Sequence, residues 1–260
     1  MHLNLENKVI IVTGGSKGIG NGIANLLATE EAIPVIVGRN KQNVLGAVER
    51  IQKNGGKASY AIAELTNSDE CKAAVEKVIG EYGKIDGLVN NAGVNDGVGL
   101  ENGSYEDFVQ SINRNLTHYY CMAHLVLPEL KKTKGAIVNI GSKVSETGQG
   151  GTSGYAAANG GRNAMTREWA VELLPYSIRV NAVIVAECYT PLYEKWVNTF
   201  SNPEEKIKEI TDKIPFENRM TTSEEIANTV AFLLSSKSSH TTGQLLFIDG
   251  GYTHLDRALT

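Results

Sequence analysis

The stretch Val9-Ile10-Ile11-Val12-Thr13-Gly14-Gly15-Ser16-Lys17-Gly18-Ile19-Gly20 decides the fold of this 260-residue chain. Its apolar, β-branched first half predicts a strand that is buried on both faces, as in a parallel sheet covered by helices. Its glycines predict a tight turn that runs directly into a helix, and the free N–H groups of a helix N-terminus attract an anion. We therefore expect a dinucleotide pyrophosphate here, rather than a merely structural glycine turn, with contacts from Gly14, Ser16, Lys17, Gly18, Ile19 and Gly20.

Short apolar runs alternate with helical segments along the whole chain. Further strands are predicted at 34–37, 58–63, 88–90, 136–140, 180–185 and 245–248. Helices are predicted at 18–30, 41–53, 67–82, 104–131, 153–174 and 222–235, two of them starting at the capping boxes Ser104/Asp107 and Thr222/Glu225. The pattern predicts an α/β fold: a single doubly wound, Rossmann-type parallel sheet of about seven strands with helices on both faces, in one domain over residues 1–260.

The composition excludes several classes of partner. With 25 Lys and Arg against 29 Asp and Glu, the formal net charge is −4, which provides no basic surface for nucleic acid or an anionic membrane. No apolar run reaches the roughly 18 residues that span a bilayer, and the polar N-terminus favours a cytoplasmic protein. The three separated cysteines and the unpaired histidines predict neither a disulfide framework nor a metal site.

The end of the second predicted strand bears on the choice of dinucleotide. Gly38-Arg39-Asn40 stands where an acidic residue would bind the ribose 2′-hydroxyl of NAD. Arg39 can instead bind a 2′-phosphate with its planar guanidinium, and Lys17 can add a second positive charge. NADP is therefore the expected cofactor and NAD the less favoured one. The alternative is that both cations simply face solvent.

Further motifs follow the glycine turn in order. Asn90-Asn91-Ala92-Gly93 follows the fourth strand, Asn115 lies in the long helix, Ser142 follows the fifth strand, and Tyr155 begins the next long helix. Together these residues resemble the short-chain dehydrogenase/reductase family from the first strand to the C-terminus. The resemblance implies hydride transfer between a nicotinamide and an alcohol or carbonyl carbon of a small molecule, by a homotetramer.

The same resemblance assigns roles to the residues. It implies that Tyr155 handles the proton, Ser142 holds the substrate oxygen and Asn115 holds a water in the proton relay. A phenol and a hydroxyl that converge on one oxygen provide an acid–base group and a donor to a developing oxyanion. The implied dinucleotide site further includes Glu64, Leu65, Asn91, Ala92, Gly93, Tyr155 and Asn159.

Position 159 departs from the family pattern Tyr-x-x-x-Lys, because the sequence reads Tyr155-Ala156-Ala157-Ala158-Asn159. Residue 159 shares a helix face with Tyr155, where a lysine would bind the nicotinamide ribose and favour the ionised phenol. A tyrosine with the ordinary pKa of about 10 is only about 0.1% ionised at neutral pH. Three explanations stay open: an introduced substitution, a naturally impaired enzyme, or replacement of the charge by Lys143 or Arg162. An otherwise competent protein would gain at least about tenfold in turnover from Asn159→Lys.

The substrate side resembles, more narrowly, L-fucose dehydrogenase-like sugar dehydrogenases, in residues 148–155, 186–191 and 251–257. A sugar needs several polar partners, since each hydroxyl buried without one costs about 1 to 3 kcal/mol. We expect these partners beyond the carboxyl ends of the strands, at Asn95, Asp96, Lys143, Gln149 and Glu187. Residues 190–215 carry apolar side chains at helical spacing and predict a substrate lid, in which Trp196 and Tyr193 offer an apolar face to the sugar.

Each of these assignments has an alternative. Glu187 is otherwise a solvated loop acid, and residues 190–215 are otherwise a helix packed permanently on the core or on another subunit. For the function, the first expectation is an NADP-dependent oxidoreductase of a small polyhydroxylated molecule such as L-fucose. The others are a ketone reductase that resembles 3-oxoacyl-carrier-protein reductases, and a cofactor-binding protein without turnover.

Overall fold

A computed structural model describes residues 2–256 of the protein, and its centre is a parallel β-sheet. The strands are β1 (Val9–Thr13), β2 (Ile33–Gly38), β3 (Ser59–Ile62), β4 (Gly87–Asn90), β5 (Ala136–Ser142), β6 (Arg179–Val185) and β7 (Leu245–Ile248). Within the described residues they form one sheet in the order β3-β2-β1-β4-β5-β6-β7, with parallel pairing throughout. The chain reverses direction across the sheet between β1 and β4, where doubly wound sheets open a crevice for ligands. The expected Rossmann-type fold is confirmed.

Helices cover both faces of the sheet, because alternate residues of each strand point to opposite sides. The helices are α1 (Gly18–Thr29), α2 (Lys41–Lys53), α3 (Ser68–Tyr82), α4 (Tyr105–Ile112), α5 (His118–Thr133), α6 (Val144–Thr147), α7 (Ser153–Glu172), α8 (Pro191–Val197), α9 (Pro203–Thr211) and α10 (Ser223–Leu234). Ile11 of β1 belongs to the core on the face covered by α3, α5 and α7. Its neighbour Val12 belongs to the opposite core, under α1 and α10.

The region predicted as one helix over 104–131 is interrupted. Between α4 and α5 the chain makes a π-helical turn, Asn113–Thr117, before α5 continues to Thr133. A π turn inserts one residue into a helix and is frequent at functional sites, and Asn115 lies in its centre. Both predicted capping boxes are present, at the starts of α4 and α10.

Residues 190–215 follow the carboxyl end of β6 and contain the two short helices α8 and α9. The Thr190 hydroxyl accepts a hydrogen bond from the Tyr193 N–H at 3.2 Å, which fixes the start of α8. Val197 is buried, whereas Trp196 is 43% exposed, so α8 lies on the surface with one side covered. In residues 2–256 no helix is both long and apolar enough to cross a membrane. Arg257, the last residue of the 251–257 motif, lies outside the described residues.

Candidate active site

The glycine turn after β1 is held against the Asn-Asn-Ala-Gly turn after β4. The Thr13 hydroxyl accepts a hydrogen bond from the Asn91 backbone N–H at 2.9 Å, and the Asn91 side-chain amide donates to the Thr13 carbonyl at 2.9 Å. A Cβ on Gly20 would lie 2.5 Å from the Asn91 side-chain nitrogen and 2.5 Å from the Gly14 carbonyl oxygen. Only glycine fits there, so Gly14, Gly20, Asn91 and the adjoining Ala92 form one packed unit.

The N-terminus of α1 is free to bind an anion. No side chain caps the helix at Lys17, and its first turn carries no acidic residue. Gly18 has a φ of +54°, and Ser16 and Ile19 beside it are half-buried. The free N–H groups and the positive end of the helix dipole therefore face the crevice at the strand ends. These residues fit the pyrophosphate of a nicotinamide dinucleotide.

Arg39 and Glu64 lie together at the ends of β2 and β3. The Arg39 guanidinium is 3.0 Å from the Glu64 carboxylate, and the arginine side chain is 78% exposed. Burial raises the pKa of Glu64, but hydrogen bonds from Arg39 and the Thr66 backbone outweigh it, so the pKa lies below its usual value. Arg39 is thus an exposed cation at the end of β2, paired with a carboxylate, and half-buried Leu65 follows Glu64.

The two residues expected to act on the substrate occupy ends of neighbouring elements. Ser142 is the last residue of β5 and pairs in register with Val185 of β6. Tyr155 lies on the first turn of α7, which packs across β5 and β6. Gly154 allows the start of α7 to approach α4, because a Cβ there would lie 2.6 Å from Ser111. Ser142 and Tyr155 are both half-buried.

Asn115, Asn159 and Arg162 form a buried cluster behind Tyr155. The Asn115 side-chain oxygen accepts a hydrogen bond from the Val94 N–H at 2.8 Å. The Asn159 amide donates to the Tyr155 carbonyl at 2.8 Å, and its oxygen accepts from Arg162 Nη1 at 3.0 Å. Because helical side chains lean towards the N-terminus, the Arg162 guanidinium reaches back until its central carbon is 5.9 Å from the centre of the Tyr155 ring.

A second polar cluster lies beyond the ends of β5 and β6. Lys143 pairs with Glu187, and their side chains are only 9% and 18% exposed. The Lys143 ammonium also sits 3.6 Å from the centre of the Tyr252 ring. The Tyr193 hydroxyl is buried beside Glu187. Burial, and then the charge of Glu187, raise the pKa of that phenol.

Lys143 and Tyr252 of this cluster line a cavity of about 600 Å³, a size that suits a small molecule. Gln149 is among the lining residues, and the chain after β7 supplies part of the lining. The residues around it are Lys143, Glu146, Thr147, Gly148, Gln149, Tyr252, Thr253 and Leu255.

Four predicted substrate residues are outside this lining: Asn95, Asp96, Trp196 and Glu187, which reaches the cavity only through its ion pair with Lys143. Asn95 is exposed and accepts a hydrogen bond from the Gly97 N–H, as in a local turn. Asp96 accepts a hydrogen bond from the Ser111 hydroxyl at 2.8 Å, so its carboxylate fastens the loop to α4. Trp196 packs edge-on against Tyr193 and is outside the cavity lining. Within residues 2–256 no group of three His, Cys, Asp or Glu side chains is placed to hold a metal ion.

Tyr252 is a site residue that sequence reasoning did not assign. Its position in the sequence could have revealed it, because Tyr252 follows the Asp249-Gly250-Gly251 turn directly after the last strand. Backbone N–H groups of Gly251 and Thr253 donate to the Asp249 carboxylate, each at 2.9 Å, which turns the chain back over the strand ends. A carboxylate that caps a turn at the end of a strand predicts such a return.

Comparisons with known proteins agree with this arrangement. A family model described as enoyl-(acyl carrier protein) reductase matches residues 14–253. The 3-oxoacyl-[acyl-carrier-protein] reductase FabG of Thermotoga maritima is 37% identical over 250 residues, which cover 96% of this chain and 99% of that protein. The crystal structure of a dehydrogenase designated Cj0485 is 47% identical, with a TM-score of 0.95 over 100% of this chain and 99% of that one. The ligand-free aldohexose dehydrogenase of Thermoplasma acidophilum is 30% identical, with a TM-score of 0.88 over 98% and 97% of the two chains.

Proposed function

The chain belongs to the short-chain dehydrogenase/reductase family of oxidoreductases, and we propose that it transfers a hydride between NADP and a small polyhydroxylated substrate. The reacting group is a secondary alcohol or hemiacetal in one direction and a carbonyl in the other. L-Fucose or a related sugar is the proposed substrate. The proposal goes beyond family membership in three respects: the substrate class, the choice of dinucleotide and the residues that act.

The proposed chemistry divides the work between two side chains. A bound nicotinamide supplies the hydride acceptor or donor. The Tyr155 phenolate takes the proton of the substrate hydroxyl during oxidation, and the phenol returns it during reduction. The Ser142 hydroxyl donates a hydrogen bond to the same substrate oxygen and stabilises the negative charge that develops there. Asn115 keeps the loop after β4 in place through its bond to Val94.

The observation that carries the substrate class is the Lys143–Glu187 pair. Lys143 follows Ser142 directly and pairs with Glu187, whose charge also acts on the buried Tyr193 phenol. Buried polar groups need partners, and a polyhydroxylated molecule offers donors and acceptors for all three. A long acyl chain would bring no donor or acceptor to this polar group, whereas a sugar hydroxyl can bond to either member of the ion pair.

The proposed preference for NADP depends on Arg39. Its guanidinium is 78% exposed at the end of β2, where it can form paired hydrogen bonds with a 2′-phosphate. Lys17, exposed in the glycine turn, adds a second positive charge. Glu64 pairs with Arg39 and its carboxylate would repel the phosphate, so we expect the preference for NADP over NAD to be moderate.

Three wider features belong to the same proposal. Residues 190–215 act as a lid. Their first residue, Thr190, lies close to the glycine turn: a Cβ built on Gly18 would be 3.3 Å from the Thr190 side chain. Tyr105 and Tyr120, 78% and 57% exposed on α4 and α5, provide an apolar surface for assembly of a homotetramer. We place the enzyme in the cytoplasm, where its dinucleotide substrate is available.

A ketone reductase of the 3-oxoacyl-carrier-protein type is the second candidate, and the 37% identity to the Thermotoga maritima protein favours it. The deciding experiment measures rates with NADP(H) and NAD(H) on a panel of aldoses including L-fucose, on simple secondary alcohols and on a 3-oxoacyl thioester. Efficient oxidation of an aldose with NADP supports the proposal, and turnover of the thioester alone selects the second candidate. Tight NADPH binding without turnover of any panel member would indicate a cofactor-binding protein.

A further inference from the structure

The most unusual charge in the protein is the guanidinium of Arg162. The residue is 3% exposed in the middle of α7, and no carboxylate among residues 2–256 pairs with it. An unpaired buried charge is strongly unfavourable. The fold nevertheless fixes this one by hydrogen bonds from its N–H groups to three oxygen atoms, and its position near Tyr155 raises the question of a catalytic purpose.

Those three oxygens fix the direction of the guanidinium. Nε and Nη2 donate to the Asn115 carbonyl at 2.8 and 2.5 Å. Nη1 donates to the Ile140 carbonyl at 3.1 Å and to the Asn159 side-chain oxygen at 3.0 Å. These bonds engage four of the five N–H groups that a guanidinium carries. The guanidinium thus bonds to acceptors on three elements: the π-helical turn, β5 and α7.

The guanidinium also reaches the wall of the dinucleotide crevice. A Cβ on Gly93 would lie only 2.9 Å from Arg162 Nη2, and Gly93 itself is exposed. Arg162 Nη2 carries the one N–H that makes no hydrogen bond above. Between this nitrogen and the crevice lies only Gly93, which has no side chain. The guanidinium lies between the Tyr119 ring, 4.3 Å from its centre, and the Tyr155 ring, 5.9 Å from its centre.

We propose that Arg162 supplies the positive charge that stabilises the ionised phenol of Tyr155, and that Asn159 positions its guanidinium. The inference rests on the proposed role of Tyr155 in proton transfer. During oxidation the substrate O–H bond breaks and its proton moves to the Tyr155 oxygen, while Arg162 stays protonated throughout. Arg162 is a positioning residue that acts through Tyr155. Asn159 holds the Arg162 guanidinium in place, so its presence at this position does not by itself impair the enzyme.

Other ionisable groups on the elements packed against α7 do not provide this charge. Burial, and then the charge of Arg162, lower the pKa of His118 to about 4, and burial raises the pKa of Tyr119 to about 12, so both are uncharged at neutral pH. The remaining charged groups are bonded to other partners or exposed. The bonded ones are Lys143 with Glu187, Arg114 with Asp96, Glu146 with Asn163, and Arg179 of β6 with the carbonyls of Leu233, Leu234 and Ser235. The exposed ones are Glu106 and Asp107 on α4 and Arg167, Glu168 and Glu172 on α7.

The test follows the ionisation of Tyr155 directly and needs no substrate. The full chain is labelled with carbon-13 at the tyrosine ring carbon that bears the hydroxyl, and the Tyr155 signal among the ten tyrosines is identified by its absence from Tyr155→Phe. In Arg162→Met the titration midpoint of this signal should rise, because the variant loses the cation whose central carbon lies 5.9 Å from the centre of the Tyr155 ring. In Arg162→Lys, which keeps the charge, the midpoint should stay close to that of the parent. An unchanged midpoint in Arg162→Met overturns the inference.

Arg179 provides a matched control. Its guanidinium is partly buried and donates to the carbonyls of Leu233, Leu234 and Ser235, away from Tyr155. Arg179→Met should lower the melting temperature without moving the Tyr155 midpoint. A shift of similar size in this variant would mean that loss of a structural arginine explains the result, and the inference would fail.

Position 159 gives a test that remains available if Arg162→Met does not fold. A lysine there would place a second cation about where Nη1 now meets the Asn159 oxygen, so Asn159→Lys alone should lower turnover and the melting temperature. This reverses the gain expected from the sequence. The double variant Asn159→Lys/Arg162→Met, which again has one cation, should restore the parental midpoint. At least a tenfold gain in turnover from the single variant, or a double variant with the midpoint of an unassisted tyrosine, contradicts the inference.

The two proposals can fail separately. A protein that oxidises no aldose but whose Tyr155 midpoint responds to Arg162 as described would refute the proposed substrate and keep the inference. An active aldose dehydrogenase whose midpoint ignores Arg162 would do the opposite. In an active enzyme the acidic limb of the pH–rate profile for oxidation should move with the midpoint, whereas a purely structural role of Arg162 would lower the rate at every pH alike.

Discussion

Lys143 and Glu187 form a largely buried ion pair although 44 residues separate them in the sequence. They meet because β5 and β6 are adjacent and in register: Ser142 pairs with Val185, and the Lys143 N–H donates to the Val185 carbonyl at 2.9 Å. The pair is therefore positioned by the sheet rather than by a flexible loop. Groups held on rigid elements keep their geometry when a ligand arrives, which suits a role in recognition.

Replacing Glu187 by glutamine tests that role. The change keeps the shape of the side chain but removes an acceptor for substrate hydroxyls and the counterion of Lys143. Because hydrogen bonds to charged groups contribute about 1.5 to 3 kcal/mol, we expect KM for the sugar to rise by about tenfold or more, with NADP affinity unchanged. Steady-state kinetics and cofactor titration measure both, and Glu194→Gln on the exposed side of α8 is the control. Equal KM values in the two variants would remove Glu187 from the substrate site.

Arg39 should determine the preference between the two dinucleotides. Arg39→Ala removes the planar donor for a 2′-phosphate, so KM for NADP should rise at least about tenfold, as for a lost charge-assisted hydrogen bond. KM for NAD, which has no such phosphate, should change little. Arg50→Ala, which removes an exposed charge from the end of α2, serves as the control. A parallel rise for both dinucleotides would indicate a general electrostatic effect.

Tyr155→Phe isolates the proton-transfer step. The substitution keeps the ring that packs near Arg162 and removes only the hydroxyl. General acid–base groups contribute about 100-fold to 10,000-fold to a rate, so kcat should fall by that range while NADP still binds. Tyr176→Phe, at the opposite end of α7, should leave kcat unaltered. Substantial residual turnover in Tyr155→Phe would mean that another group carries out the proton transfer.

The sequence predicted the strands and the positions of most helices, because buried parallel strands and glycine turns leave strong local patterns. It missed the π-helical turn at Asn113–Thr117, since both flanking helices keep a helical period and an inserted residue is invisible to it. That turn brings the Asn115 carbonyl to Arg162. The sequence left open where the Arg162 guanidinium points for the same reason: its direction depends on which carbonyls accept its hydrogen bonds.

The candidate substrate site was predicted in part. Lys143, Gln149 and Glu187 follow strand ends, and topology alone brings strand ends together. The position of Asp96 after β4 gave no indication that Ser111 of α4 would engage its carboxylate. Tyr252 becomes a neighbour of Lys143 only because the chain turns back after β7. Contacts between distant segments leave no periodic trace in the sequence, and they account for most of what was missed.

The buried imidazole of His118 predicts how stability depends on pH. Burial and the charge of Arg162 lower its pKa to about 4, whereas an unfolded histidine has a pKa of about 6.5. Below pH 6.5 the unfolded chain therefore binds a proton that the folded protein does not, so this contribution to stability is complete above pH 6.5 and is lost as the pH falls towards 4.

Between pH 7 and pH 5 the free energy of unfolding should consequently fall by about 2 kcal/mol more in the parent protein than in His118→Gln. Glutamine preserves a donor for the Arg114 carbonyl, which His118 Nε2 contacts at 3.0 Å, so the variant should fold. Urea titrations at several pH values measure the difference, and subtracting the variant's curve removes the other titrating groups. The excess loss should shrink in Arg162→Met, because removing that charge raises the pKa of His118 towards its unfolded value. Identical pH dependence in parent and His118→Gln would mean that the imidazole binds a proton as readily in the folded protein as in the unfolded chain. That result would contradict the effect of burial and of the Arg162 charge on its pKa.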